Sequence, residues 1–318
     1  MTNTPGQARP HATSPPRGMR TRLMKLARLF IARIPPPLGH PLSAVVGELI
    51  YRFAPRSRHA AISNLGHALG PIPKRTLKKA VRHVFHNVVR NYYELCRAPD
   101  MTDADVDRMV DFDEKGWQRI ADIHSSGRGV LLVSAHYGSF DMVTQVLARH
   151  GFPVSVLVAQ VKPPWLSEFL TDLRTARGLH FLQVEAEEGS GTNLGALKQS
   201  ISLLKNKGLL GVVVDRNMEQ RGVHIKFFGH DTVVASGVAK MALRTRAPII
   251  IGIARRLNTY RFSLTFDDPI EPMGSASNDE DVRALLQQVF ARLEYHISQN
   301  PDQWVLLQPV WPESASYG

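Results

Sequence analysis

The spacing of apolar positions changes character near residue 113. Upstream, apolar residues recur every three or four positions and predict helices over 21–34, 41–53, 58–68 and 74–96. The last places Val81, Val84, Phe85, Val88, Val89, Tyr92 and Leu95 on one stripe, the pattern of a helix that buries one face. Pro35-Pro-Pro37 separates the first two helices. Downstream, short apolar runs predict strands at 129–135, 154–160, 181–185, 209–214, 248–253 and 260–266. Between and after them fall helical patterns at 114–124, 142–149, 163–177, 193–207, 236–246 and 279–299. Alternating strand and helix predicts an α/β fold, a mostly parallel central sheet flanked by helices. The chain divides into a tail at 1–20, a basic helical region at 21–112 and an α/β core at 113–318 that packs with those helices as one domain. The Pro/Thr/Ser-rich start has no apolar signal-like run and reads as disordered.

Charge changes the picture of the first third. The chain of 318 residues carries a formal net charge of +11. Residues 1–100 hold 17 Lys and Arg against 3 Asp and Glu, so the excess lies there. Such a surface fits a polyanionic partner. No zinc-finger spacing and no aromatic RNA-binding block occurs, so nucleic acid is not the expected partner. An anionic membrane is. Within 21–34, Leu23, Ala27, Phe30 and Ile34 form one helical stripe with Ile31 beside it. Arg22, Lys25, Arg28 and Arg33 lie largely off that stripe, the composition of an interfacial amphipathic helix. A surface helix packed on its own domain would show the same pattern. No apolar run approaches the roughly 20 residues of a spanning helix.

The richest chemistry follows the strand at 129–135, in His136-Tyr-Gly-Ser-Phe-Asp141. His136 stands where a strand ends, the place where open α/β sheets put their sites. Gly138 permits a tight turn and is a candidate substrate contact, and Ser139 suits an N-cap. Asp141 falls in the first turn of the next helix, from where it could accept a hydrogen bond from the imidazole. That would fix the tautomer and leave the other ring nitrogen as a base. A His capping a turn and an Asp in a first helical turn are also ordinary structural features.

Asp215-Arg216 ends another apolar run and could line the same crevice. Asp215 could bind an acceptor or support the His, and Arg216 could hold a phosphate in bidentate fashion. Arg174 and Arg177 close a helix before Gly178, where they complement its dipole or reach a phosphate. Val223-His-Ile-Lys-Phe-Phe-Gly229 could form a β-arm in which Phe227 and Phe228 wall a lipid channel, or plain core. Gly189-Ser-Gly-Thr-Asn-Leu-Gly195 reads as a loop with a possible anion nest. No dinucleotide fingerprint, P-loop, nucleophile elbow or HExxH motif occurs, and no metal is expected. The single Cys96 excludes an internal disulfide and a cysteine metal cage.

Taken in order, His136-x4-Asp141, Arg174-x3-Gly178, Asp215-Arg216, Phe227-Phe-Gly229 with Gly237, and Asn300-Pro-Asp-Gln-Trp304 with Gln308-Pro-Val-Trp311 resemble the lysophospholipid acyltransferase superfamily. The branch is that of bacterial lipid A and phosphatidylinositol mannoside acyltransferases. The resemblance covers about 55–312 and implies transfer of a fatty acyl group from acyl-CoA or acyl carrier protein to a hydroxyl of a membrane lipid. It implies His136 as base, Asp141 as its partner, and Arg174, Asp215 and Arg216 as polar site residues. The chemistry of a neutral His as base needs no acylated residue, so direct transfer is expected, with no cofactor. The expected protein is a monomer held peripherally on the cytoplasmic face of the inner membrane. A lipid or thioester hydrolase, and a non-catalytic membrane-binding protein of the same fold, are the rival readings.

Overall fold

The computed structural model describes residues 17–149, 154–159, 161, 163–184, 194–217 and 221–311. Four helices lead: α1 (Arg17–Arg33), α2 (Pro36–Phe53), α3 (Pro55–Leu69) and α4 (Lys74–Arg97). Then come α5 (Asp103–Met109), β1 (Val110–Phe112), α6 (Glu114–Ser125), β2 (Val130–Ser134) and the single-turn α7 (Phe140–Val143). The chain continues through β3 (Val154–Ala159), α8 (Pro164–Thr175), β4 (His180–Val184), α9 (Leu194–Lys205) and β5 (Leu209–Val213). It ends with β6 (Val223–Phe227), β7 (His230–Val234), α10 (Gly237–Thr245), β8 (Ile249–Arg256), β9 (Phe262–Phe266) and α11 (Asp279–Gln299).

The expected sheet is present. Seven strands run in the order β1-β9-β8-β2-β5-β3-β4, and every neighbouring pair is parallel except β8 with β9. Strand β2 sits mid-sheet, and its side chains alternate between two cores, as a pleated strand requires. Leu131, Val133, Ala135 and Tyr137 point into a core shared with α3, α4, α10 and α11. Val130 and Leu132 point the other way, toward Trp117 and Ile120 of α6 and Met142 and Val143 of α7. His136 is in phase with this second face.

Several local expectations change. Helix α1 begins at Arg17, inside the expected tail, and residues 1–16 lie outside the described residues. Helix α2 begins at Pro36, because Pro36 and Pro37 occupy the first turn, where a missing N–H costs nothing. The helix expected over 142–149 is only α7 followed by a 3-10 helix at Thr144–Arg149. There Thr144 Oγ1 donates back to the carbonyls of Phe140 and Asp141, and Gln145 Nε2 to that of Asp141. Such side-chain bonds compete with a regular ladder. The candidate nest falls at 189–193, outside the described residues, ahead of Leu194 and Gly195 in α9.

The closing segment crosses the first core. Trp304 and Trp311 are fully buried beside Phe227 and Phe290. Buried Asn64 on α3 holds the segment down: its Nδ2 donates to the carbonyls of Leu306 (3.3 Å) and Gln308 (2.8 Å), and its Oδ1 accepts from Val310 N (3.2 Å). Asn64→Ala leaves these backbone groups unpaired in the core and should cost roughly 2–4 kcal/mol. Urea unfolding checks this, and an unchanged midpoint would contradict it.

Candidate active site

The parallel register of β2 and β5 builds the site. Ser134 pairs with Val213, and Val214 N donates to Ser134 O at 3.0 Å. Two residues further along each strand stand His136 and Asp215, side by side. His136 Nδ1 and Asp215 Oδ1 are 2.7 Å apart, and the His136 backbone N–H donates to Asp215 Oδ2 at 3.0 Å. Trp304 Nε1 donates to the same Oδ2 at 2.7 Å. The Asp215 side chain is fully buried, and that of His136 is 25% exposed. Burial alone would raise the Asp215 pKa, but the imidazole and the three N–H donors outweigh it and hold the carboxyl below its ordinary value. Phe140 sets its ring edge-on to the imidazole, with centroids 5.4 Å apart. His136 Nε2 takes no partner among the described residues, so one ring nitrogen is tied down and the other is available.

Asp141 is elsewhere engaged. Its carboxylate accepts two bonds from Arg174, from Nε at 2.8 Å and the guanidinium NH2 at 2.9 Å. The expected His136–Asp141 pair is thus absent, and this carboxylate ties α7 to the last turn of α8. The physical reason is reach: β5 brings Asp215 alongside His136, while the turn of α7 carries Asp141 toward Arg174. For Arg174 the burial penalty is outweighed by Asp141, and its pKa is raised. Arg177 instead bonds Asp103 and the Met101 carbonyl.

These groups stand at one cavity of about 220 Å³. His136, Asp141, Arg174 and Arg216, with Ser134 and Thr144, supply its polar lining. The rest is apolar, including Leu132, Leu147, Val154, Val156, Phe181, Leu264 and Phe266. Space arises partly because Gly211, Gly252 and Ala254 present little or no side chain to it. Arg216 has no hydrogen-bond partner among the described residues, and its Nε is buried without one. Desolvation lowers its pKa, and the neighbouring Asp215 partly restores it. Half-exposed Tyr92 belongs electrostatically to this group. Its pKa is raised by desolvation and then by Asp141, so it is not the core residue its helical stripe predicts.

Three expected substrate contacts, Phe227, Phe228 and Gly138, do not line the cavity. Phe227 is fully buried against Phe290 and Trp311, and Phe228 packs near Trp304 while its N–H donates to Glu294. They are core of the β6–β7 hairpin, because α11 covers the apolar side of that hairpin. Gly138 is a turn residue: its N–H donates to Gln303 O at 2.8 Å and its carbonyl accepts from Asn91 Nδ2 at 2.5 Å. Its φ is +58°, and an added Cβ would lie 1.8 Å from Ala254 O. Ser139 stands at the N-cap of α7 as expected, but its side chain makes no capping bond; its hydroxyl donates to Glu94 Oε2 at 2.7 Å. Glu94 in turn pairs with buried Arg256 at 2.6 and 2.8 Å. No local motif signals Glu94, Asn91 or Arg256, since only the meeting of α4 with the end of β8 brings them under the turn.

With the geometry in place, comparison with known proteins is direct. The family described as bacterial lipid A biosynthesis acyltransferase matches residues 12–313. The chain belongs to this family. It is therefore an acyltransferase of lipid biosynthesis. A phosphatidylinositol mannoside acyltransferase of Mycobacterium tuberculosis is 23% identical over 78% of this chain and 75% of its own. One from Mycolicibacterium smegmatis is 24% identical over 78% and 77%. The crystal structure of a 1-acyl-sn-glycerophosphate acyltransferase from Thermotoga maritima aligns with a TM-score of 0.35 at 15% identity, over 88% of this chain and 97% of that one.

Beneath the turn after His136 of this acyltransferase, His40 of α2 faces Glu94, with Nε2 3.7 Å from Oε1. Burial lowers its pKa to about 4; Glu94 opposes this, while Arg90, Arg256 and Arg97 reinforce it. An unfolded His titrates near 6.5. Below that pH the unfolded chain gains a proton that the folded chain refuses until about pH 4, so stability falls as pH drops through this window. His40→Gln should flatten that loss, read as the difference between urea midpoints at pH 7 and pH 5. A wild-type difference in the variant would remove His40 as the source.

Proposed function

We propose that the protein transfers a fatty acyl chain from a thioester, acyl-CoA or acyl carrier protein, to a hydroxyl of a membrane glycolipid or phospholipid, with His136 as general base. The observation that carries this reading is the His136 imidazole at an apolar cavity, tied through Nδ1 to a buried carboxylate and open at Nε2. The acyl chain occupies the apolar part of the cavity. His136 Nε2 takes the proton of the acceptor hydroxyl as its oxygen attacks the thioester carbonyl. Asp215 stabilises the imidazolium. The tetrahedral intermediate collapses with cleavage of the C–S bond, and the leaving thiolate takes the proton back. Products are an ester and a free thiol, with no acylated residue. Arg216, a cation at the cavity with no hydrogen-bond partner among the described residues, binds an anionic group of a substrate. The Asp141–Arg174 pair holds the cavity wall in place. The glycolipid acceptor is favoured by the family description and by the names of the mycobacterial relatives.

Incubation of the pure protein with acyl-CoA or acyl carrier protein and a crude lipid extract, followed by mass spectrometry, tests this. A new acyl lipid is expected; free fatty acid alone would make the protein a hydrolase. His136→Ala should lower turnover by roughly 10²–10⁴-fold. Asp215→Asn should approach that loss, with little change in donor KM. Asp141→Asn should reduce activity less and lower stability as well, because Arg174 is left without its carboxylate. Near-wild-type turnover in His136→Ala would overturn the reading.

The same reading places the protein on a membrane through α1 and α2. Eleven of the seventeen exposed large apolar side chains among the described residues lie between Leu23 and Phe53. Leu38, Leu42, Val45, Leu49 and Phe53 form a continuous stripe on α2, and Leu23, Leu26 and Phe30 are exposed on α1. A surface of this kind is an interaction face. It differs from the expected stripe: Ala27, Ile31 and Ile34 are half-buried, with Ile31 and Met24 against Leu95, Phe169 and Leu173. Two of the four expected basic contacts are spent within the protein, Arg28 on Asp100 and Lys25 on Asp172. No helix among the described residues is long and apolar enough to cross a membrane. Binding at the cytoplasmic face of the inner membrane is then interfacial and mainly apolar. Leu42→Ser with Leu49→Ser should weaken vesicle binding by roughly 1–2 kcal/mol per side chain. The loss should be nearly independent of salt, whereas replacing Arg22 and Arg33 should matter only at low salt. Vesicle flotation checks both, and undiminished flotation of the double Ser variant would refute the docking face.

A further inference from the structure

Trp304 is fully buried and does not line the cavity. Its indole N–H nevertheless ends on a charged group, Asp215 Oδ2, at 2.7 Å. The same oxygen accepts from the His136 backbone N–H at 3.0 Å, and Oδ1 meets His136 Nδ1 at 2.7 Å. Trp311, equally buried in the same core, has no partner for its indole nitrogen among the described residues. The Trp304 contact is therefore not the routine fate of a buried indole here. The backbone reinforces it. Gly138 N donates to Gln303 O and Val305 N to His136 O, both at 2.8 Å, so the two bonds bracket Trp304 and lay its segment antiparallel along the active turn.

We infer that Trp304 is a positioning residue for the reaction proposed above, fixing the Asp215 carboxylate and, through it, the orientation and proton affinity of His136. This rests on His136 acting as the base. Other charged or titratable groups face the site: Arg216 beside Asp215, the Asp141–Arg174 pair of α7 and α8, and Tyr92 of α4. None of them hydrogen-bonds the Asp215 carboxylate among the described residues. The direction of the effect follows from charge. A carboxylate that loses one donor attracts the imidazole proton more strongly, so His136 gives up its proton less readily. Turnover needs the neutral ring, and its acid limb must move to higher pH.

The test replaces Trp304 alone with 3-benzothienylalanine, which keeps the bicyclic shape and puts sulfur where the N–H was; Trp304→Phe is the second variant. The expected result is about tenfold lower kcat, a donor KM within about twofold of wild type, and an acid limb about half a pH unit higher. NMR titration of the His136 ring should show the same upward movement without any turnover. A lower kcat with neither limb nor ring titration moved would mean a purely structural role and overturn the inference. His136→Ala, run alongside, separates the two claims. If it keeps its turnover, the base reading fails; if it loses turnover while the Trp304 variants titrate as wild type, only the Trp304 inference fails.

Discussion

The structure turns on a buried carboxylate. Asp215 lies out of contact with water at the end of β5, where an isolated charge would be costly. Three N–H groups from two distant segments offset that cost: the backbone and ring of His136 and the indole of Trp304. Each of the three lowers the cost of keeping the carboxylate charged. The register of β2 against β5, the sharp turn after His136 and the path of the closing segment are therefore linked requirements. A slip of one residue in the β2–β5 pairing would put His136 on the opposite face of the sheet.

Around that centre the sheet divides the labour between its faces. One face is filled by large side chains and closed by Trp304, Trp311 and α11. The other leaves a cavity where Gly211, Gly252 and Ala254 stand, and helix α8 walls it through the Arg174–Asp141 pair. Under the turn after His136, Glu94 and Arg256 form a second buried pair that holds Ser139, while Asn91 and Gln303 hold Gly138. Gly138 is needed because its left-handed backbone passes so close to Ala254 O that no Cβ fits. In the proposed reaction, rigid support of this kind would give His136 a fixed approach to its substrate.

The N-terminal helices show how folding redistributes a sequence pattern. Their basic residues dominate the composition, yet several are spent inside the protein: Arg28 on Asp100, Lys25 on Asp172, Arg82 near Glu48. What remains outward on α2 is mostly apolar. Helix α2 lies along α4 with its small residues inward: a Cβ at Gly47 would come within 2.9 Å of the His86 backbone, and one at Gly39 would collide with the Tyr93 ring. Its larger residues are therefore left outside.

Periodicity by itself determined the α/β class, the parallel sheet and nearly every helix, because burial on one face imposes a 3.6- or 2-residue period that a local window can read. It also placed His136, since a polar residue closing an apolar run marks the C-terminal end of a buried strand. The ordered motifs were enough to indicate the family. The partner of His136 was different: Asp141 is near in sequence, Asp215 is near in space, and only the strand register chooses between them. Likewise, Phe227 and Phe228 carry the same apolar pattern whether they wall a channel or fill a core, and α11 decided for the core. Glu94, Arg256 and Trp304 have no local signature for their tasks. Their roles come from long-range packing, which brings charges and donors together from segments that share no sequence neighbourhood.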